Sequence, residues 1–253
     1  MYLRMTVAIV AVLLGLGTSG VGAQTPAATQ TPDQRVAALK KSLAESQASL
    51  RKFEWIETTV LSLKGEEKSR KQLRCYYGAD GKIQKLPITG AAPAPAAQSG
   101  GRRGGRAAQA VVAKKKDEMQ DYMESAVALV HQYLPPSPER IQKSKDAGKL
   151  AVVPQDQGRV RLDFSDYLLP GDRMSITANA ATNSLAALTV ATYLEKKDDV
   201  VALDVQFGAL TDGTSYTAKT TLDAKAKNVR VVVTNTGHKP LAPGHEAAPT
   251  AIR

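Results

Sequence analysis

The sequence predicts an α+β fold, with one large antiparallel sheet of about nine strands covered by two or three helices. Three observations carry that prediction. Residues 159–236 alternate apolar and polar side chains with a period of two, and residues 55–86 do the same over a shorter span. Two further segments, starting at Pro32 and Lys114, carry apolar stripes at helical spacing.

The alternation is clearest in Arg159–Ser165. Val160, Leu162 and Phe164 fall on one face, with Arg159, Arg161 and Asp163 on the other. Met174 and Ile176 repeat the pattern, as do Leu188, Val190 and Leu194, then Val201, Leu203, Val205 and Phe207. Residues 216–222 are Thr-rich, and 229–233 closes the series. The connections, among them Pro170-Gly171-Asp172 and Thr211-Asp212-Gly213, are turn-forming and too short for a crossover helix. Six strands in an antiparallel meander follow. Upstream, 55–63, 69–77 and 82–86 read as three more strands, joined by turns at 64–67 and 78–81.

The helical segments are capped. Thr31-Pro32-Asp33-Gln34 combines an N-cap, a first-turn proline and a capping-box glutamine, and Val36, Leu39, Leu43, Leu50 and Phe53 make the stripe. In 114–134, Met119, Tyr122, Met123, Ala126, Val127, Val130 and Tyr133 share a face, and Pro135-Pro136 ends the helix. Ser137-Pro138-Glu139 opens a shorter one toward Gly148.

Residues 1–23 read as an export signal. Arg4 gives a positive start and 7–16 an apolar core, shorter than the roughly 20 residues that a bilayer requires. Val21-Gly22-Ala23 is a small-residue cleavage site, and no cysteine follows it to carry a lipid anchor. The expected product is soluble and periplasmic or secreted. It has a disordered lead-in at 24–30, a single domain at 31–236 and a disordered tail at 237–253. A single cysteine, Cys75, excludes an internal disulfide, and its alternation with Leu73 and Tyr77 places it as a buried apolar residue.

The formal net charge is +10. Much of the surplus lies in an Ala/Pro/Gly/Arg-rich insertion at 90–113, expected to be a flexible loop, and just beyond it. Arg102, Arg103, Arg106, Lys114, Lys115 and Lys116 are therefore candidates for contact with an anionic membrane surface or an acidic protein. No aromatic residue interleaves these arginines for base stacking, so no nucleic-acid partner is expected. His131, His238 and His245 are dispersed, the last two in the expected tail, and no metal-ligand spacing, Gly-rich nucleotide loop or nucleophile elbow occurs. No catalytic residue, metal site or cofactor is expected.

The strand entry Trp55-Ile-Glu-Thr-Thr59, the turn Tyr77-Gly-Ala-Asp-Gly81 and Pro170-Gly-Asp172 with its alternating strands resemble the lipoprotein-carrier superfamily of the LolA/LolB and MucB/RseB type. That resemblance implies a curved, unclosed half-barrel wrapped over helices, enclosing a hydrophobic cavity for a lipid or lipoprotein acyl chain. Two functions remain open. One is a non-catalytic binding or carrier protein for a hydrophobic ligand, lined by Phe164, Met174, Ile176, Leu188, Val190, Leu203 and Val205 with Trp55 as a stacking platform. The other is an envelope interaction module that uses its basic loop. Trp55 would otherwise be a core anchor, and the other apolar residues plain core, if the helices cover the sheet completely.

Overall fold

A computed structural model describes residues 32–88 and 106–241, the side chains of 32–37, 40 and 106–113 excepted. The expected export signal, the lead-in, Arg102, Arg103 and His245 lie outside the described residues. The chain runs α1 (Pro32–Leu50), β1 (Phe53–Leu63), β2 (Glu66–Tyr77), β3 (Ile83–Pro87), α2 (Arg106–His131) and α3 (Pro138–Asp146). It continues as β4 (Leu150–Pro154), β5 (Arg159–Ser165), β6 (Arg173–Asn179), β7 (Ser184–Tyr193), β8 (Val200–Ala209), β9 (Ser215–Ala224) and β10 (Val229–Pro240).

The ten strands form one open antiparallel sheet in the order β3-β2-β1-β10-β9-β8-β7-β6-β5-β4. Two local hairpins build β1 to β3 at one edge. The chain then passes through α2 and α3 to the opposite edge, and the meander β4 to β10 returns until β10 pairs with β1, from Leu63 opposite Val229 to Phe53 opposite Pro240. This large antiparallel sheet is the architecture that the carrier resemblance implied. Among the described residues no helix is long and apolar enough to cross a membrane.

The main core lies between α2 and the inner face of β5 to β10. Met123, Ala126, Val127, Val130 and Tyr133 of α2 pack against Phe164, Met174, Leu188, Val190, Leu203 and Val205, with Leu222 and Val229 beside them. Burial is nearly total, at 0% exposure for Val130 and 1% for Phe164. Each such side chain contributes roughly 1.5–3 kcal/mol of transfer free energy. The polar end of Tyr133 is satisfied within this core. Its hydroxyl donates to Asp172 Oδ2 at 2.5 Å and lies 2.7 Å from Thr192 Oγ1. The Asp172 carboxylate also accepts the backbone N–H groups of Tyr167, Leu168 and Leu169 at 2.6, 2.9 and 2.7 Å. The Pro170-Gly171-Asp172 turn is therefore fastened from inside, with Gly171 at φ +87°.

Three boundaries differ from the sequence expectation. A tenth strand, β4, pairs along β5 from Leu150 opposite Phe164. Its short run shows no clean alternation, since as an edge strand it leaves Val152 61% exposed. The second helix begins at Arg106 rather than Lys114, because Ala107, Ala108, Gln109 and Ala110 are strong helix formers. It thus takes up 106–113 of the expected insertion. Finally, β10 continues to Pro240, beyond its expected end at Val233 and into the expected tail. The start of β1 supplies a partner for those residues.

Candidate functional site

The other half of the inner face has a different cover. On α1, Leu39, Leu43 and Leu50 are half-buried, and the one fully buried described side chain is Ser46. Its Oγ accepts the backbone N–H of Ser215 at 3.0 Å, which ties the helix to the start of β9. Beneath the end of α1 a cavity of about 110 Å³ remains, partly open to solvent.

The cavity wall is built by strand parity and one bulge. Trp55 and Glu57 alternate onto the same face of β1 as Leu61 and Leu63, which join the main core. Tyr77 from β2 and Ile83 and Lys85 from β3 complete that side. On β10, Val233 and Asn235 keep the inward parity, but the next inward position would be Gly237. Ile56 pairs with Thr236 and Glu54 with Lys239, so Trp55 alone faces the two residues Gly237 and His238. Gly237 takes φ +64°, and the extra residue turns His238 inward.

His238 consequently stacks on Trp55, with ring centroids 5.9 Å apart and planes at 16°, and meets Tyr216 of β9 at 4.1 Å. Trp55 in turn touches Tyr77 at 5.7 Å. Gly208, opposite Tyr216 on β8, makes room for the tyrosine, since a Cβ there would lie 3.0 Å from its ring. The result is a continuous arc of four rings, Tyr77, Trp55, His238 and Tyr216, contributed by four strands.

Polar groups complete the wall. Lys85 Nζ donates to both oxygens of Glu57, at 2.8 and 2.7 Å, and the Glu57 side chain is only 13% exposed. Asn235 Nδ2 donates to the Thr217 carbonyl at 2.8 Å, which fixes the orientation of the amide. Asn235 Oδ1 is buried without a partner. Burial holds the His238 imidazole below its ordinary pKa of 6.5, so it is neutral at pH 7. Burial raises the Tyr77 phenol. Behind the wall, fully buried Cys75 is pushed up to about 12, first by desolvation and then by the charge of Glu57, which keeps it a thiol. With its one ion pair internally matched and its histidine neutral, the cavity is an uncharged aromatic pocket with hydrogen-bonding capacity on one side.

The structure separates the residues that the sequence grouped. Trp55 lines the cavity. Phe164, Met174, Leu188, Val190, Leu203 and Val205 lie under α2, and Ile176 packs against the same cluster half-buried. Lys114, Lys115 and Lys116 are exposed on α2; Arg106 is its first residue. Sequence reasoning did not find Glu57, Tyr77, Lys85, Tyr216, Asn235 and His238 as a group. The strand assignment offered a partial signal for the first two, because Glu57 shares the parity of Trp55 and Tyr77 that of Cys75.

No protein family and no curated protein matches this chain. A solved structure of a DUF1329 family protein from Desulfovibrio piger ATCC 29098 is similar to it, with a TM-score of 0.36 and 8% identity, over 83% of this chain and 95% of that one. A likeness that distant assigns neither a family nor a function.

Proposed function

We propose that this is an exported, non-catalytic binding or carrier protein for a lipid or other hydrophobic ligand, whose apolar end enters the cavity between α1 and the strands β1, β2, β9 and β10. The observation that carries the reading is an aromatic cavity beneath a helix that contributes no fully buried apolar side chain among its described residues. A cavity of about 110 Å³ is close in size to the roughly 150 Å³ that holds a benzene ring, and smaller than the roughly 300–1,000 Å³ of drug-sized sites. It therefore takes a single ring or the end of a chain as it stands. A longer ligand requires α1 to move outward, which its shallow packing favours.

Trp55 is the only tryptophan, so its fluorescence reports directly on the cavity. Titration with a medium-chain fatty acid should change that emission saturably. Native mass spectrometry of the protein purified from the cell envelope should show a co-purifying small molecule. An unchanged Trp55 signal together with ligand-free protein would end this reading. Export itself is tested by N-terminal sequencing of the mature protein, which should begin at Gln24.

A further inference from the structure

The ligand class can be narrowed from what stands beside the cavity, on the reading that the cavity is a ligand site. The space admits a single ring or the end of a chain, so the rest of a longer ligand stays outside it. Its interior carries no net charge, because Glu57 and Lys85 neutralise each other through two hydrogen bonds. A charged group on the ligand therefore belongs outside as well, where water and surface side chains can meet it.

Arg51 stands beside the cavity on that outer side. It follows Leu50, the lining residue at the end of α1. A guanidinium nitrogen lies 3.6 Å from where a Cβ on Gly81 would sit, so the side chain reaches from α1 to the turn between β2 and β3. Tyr77 ends the strand before that turn and Ile83 begins the strand after it, and both line the cavity. Burial raises the Tyr77 phenol, and the charge of Arg51 is near enough to oppose the rise. Arg51 is exposed, and among the described residues its guanidinium makes no ion pair or hydrogen bond. The carboxylates around it are engaged elsewhere. Glu57 pairs with Lys85, and Glu54 with Arg74 and Lys239. Asp80, in the same turn as Gly81, accepts the Lys82 N–H at 3.0 Å and the Gln84 amide at 3.5 Å.

We propose that Arg51 binds the anionic headgroup of a single-chain amphiphile whose apolar end occupies the aromatic cavity. The planar guanidinium offers parallel N–H donors that match a carboxylate or a phosphate, and its exposure lets it meet the headgroup without a buried charge.

The test uses the full mature chain at pH 8 and four probes of one chain length, namely decanoate, decyl phosphate, 1-decanol and decyltrimethylammonium. Binding is read by calorimetry and by Trp55 emission. The two anions should bind at least tenfold more tightly than 1-decanol, and the cation more weakly than either anion. A preference between the anions supports the proposal and assigns the headgroup as carboxylate or phosphate. Arg51→Gln should cut the advantage of the anions over 1-decanol to less than threefold while leaving 1-decanol binding unchanged. Lys145→Gln, which removes the same charge from α3, should leave that advantage intact. The comparison of probes on the unaltered protein stands even where a variant fails to fold. Equal affinities for the anions and 1-decanol would overturn the proposal and leave the cavity as a purely apolar site. An advantage that survives in Arg51→Gln would overturn it too. Binding of none of the four would remove the functional reading as well.

Discussion

The two halves of this sheet share strands, parity and residue types, yet they are covered in opposite ways. Over β5 to β10, α2 inserts Ala126, Val130 and Tyr133 to complete burial, and even the tyrosine hydroxyl is matched by Asp172 and Thr192. Toward the other ends of these strands, where α1 lies against β9, β7 and β1, the helix meets the sheet through half-buried leucines and one serine, and the face below is closed by rings and an ion pair around a cavity. The difference shows that period-two alternation marks a face to be covered but not how tightly it is covered. That depends on the helix. The first half is a scaffold, and the second has the incomplete packing that a ligand site requires.

The comparison can be broken most forcefully from the scaffold side. Phe164→Ala should cost about 3–5 kcal/mol in urea-induced unfolding, as a large-to-small change in a sealed core. Asp172→Ala should come next, at about 3 kcal/mol, because three backbone N–H groups and the Tyr133 hydroxyl lose their acceptor together. On the cavity side Leu50→Ala should cost only about 1 kcal/mol, since the side chain already borders open space. The same variant should bind larger ligands better. A Leu50 cost equal to that of Phe164 would mean that the two halves are packed alike.

Acidity should sharpen the contrast. His238 has a folded-state pKa depressed by burial, so its contribution to stability is complete above the unfolded value near 6.5. That contribution is lost as the pH falls below 6.5 toward the folded value. Acidification through this window should therefore loosen the cavity half and weaken ligand binding, and His238→Gln should flatten the dependence on both measurements. The smallest effect on stability belongs to the exposed lysines. Replacing Lys114, Lys115 and Lys116 by Gln should leave the unfolding midpoint within error. It should reduce any binding to anionic vesicles, most visibly at low ionic strength, where screening is weakest.

The sheet and its principal helix were legible in the sequence because their signals are local. Alternation marked β5 to β10, and the stripe from Met119 to Tyr133 marked the buried face of α2. β4 escaped because Leu150–Pro154 is short and lies at an edge, where one exposed valine disturbs the pattern. The cavity escaped for a different reason. Its residues run from Leu50 to His238 and meet only because β10 pairs with β1, a contact between chain segments far apart in sequence. His238 was the hardest to place. In Gly237-His238-Lys239-Pro240 the glycine and proline read as a tail, whereas Gly237 forms the bulge that aims the imidazole inward.

Amide hydrogen exchange followed along both helices, with and without a bound medium-chain fatty acid, tests the central claim most directly. Residues 39–50 of α1 should exchange much faster than residues 119–130 of α2 in the free protein, and the ligand should slow α1 while leaving α2 unchanged. Equal protection of the two helices in the free protein, or protection gained chiefly in α2, would contradict the division of the sheet into a sealed half and a binding half.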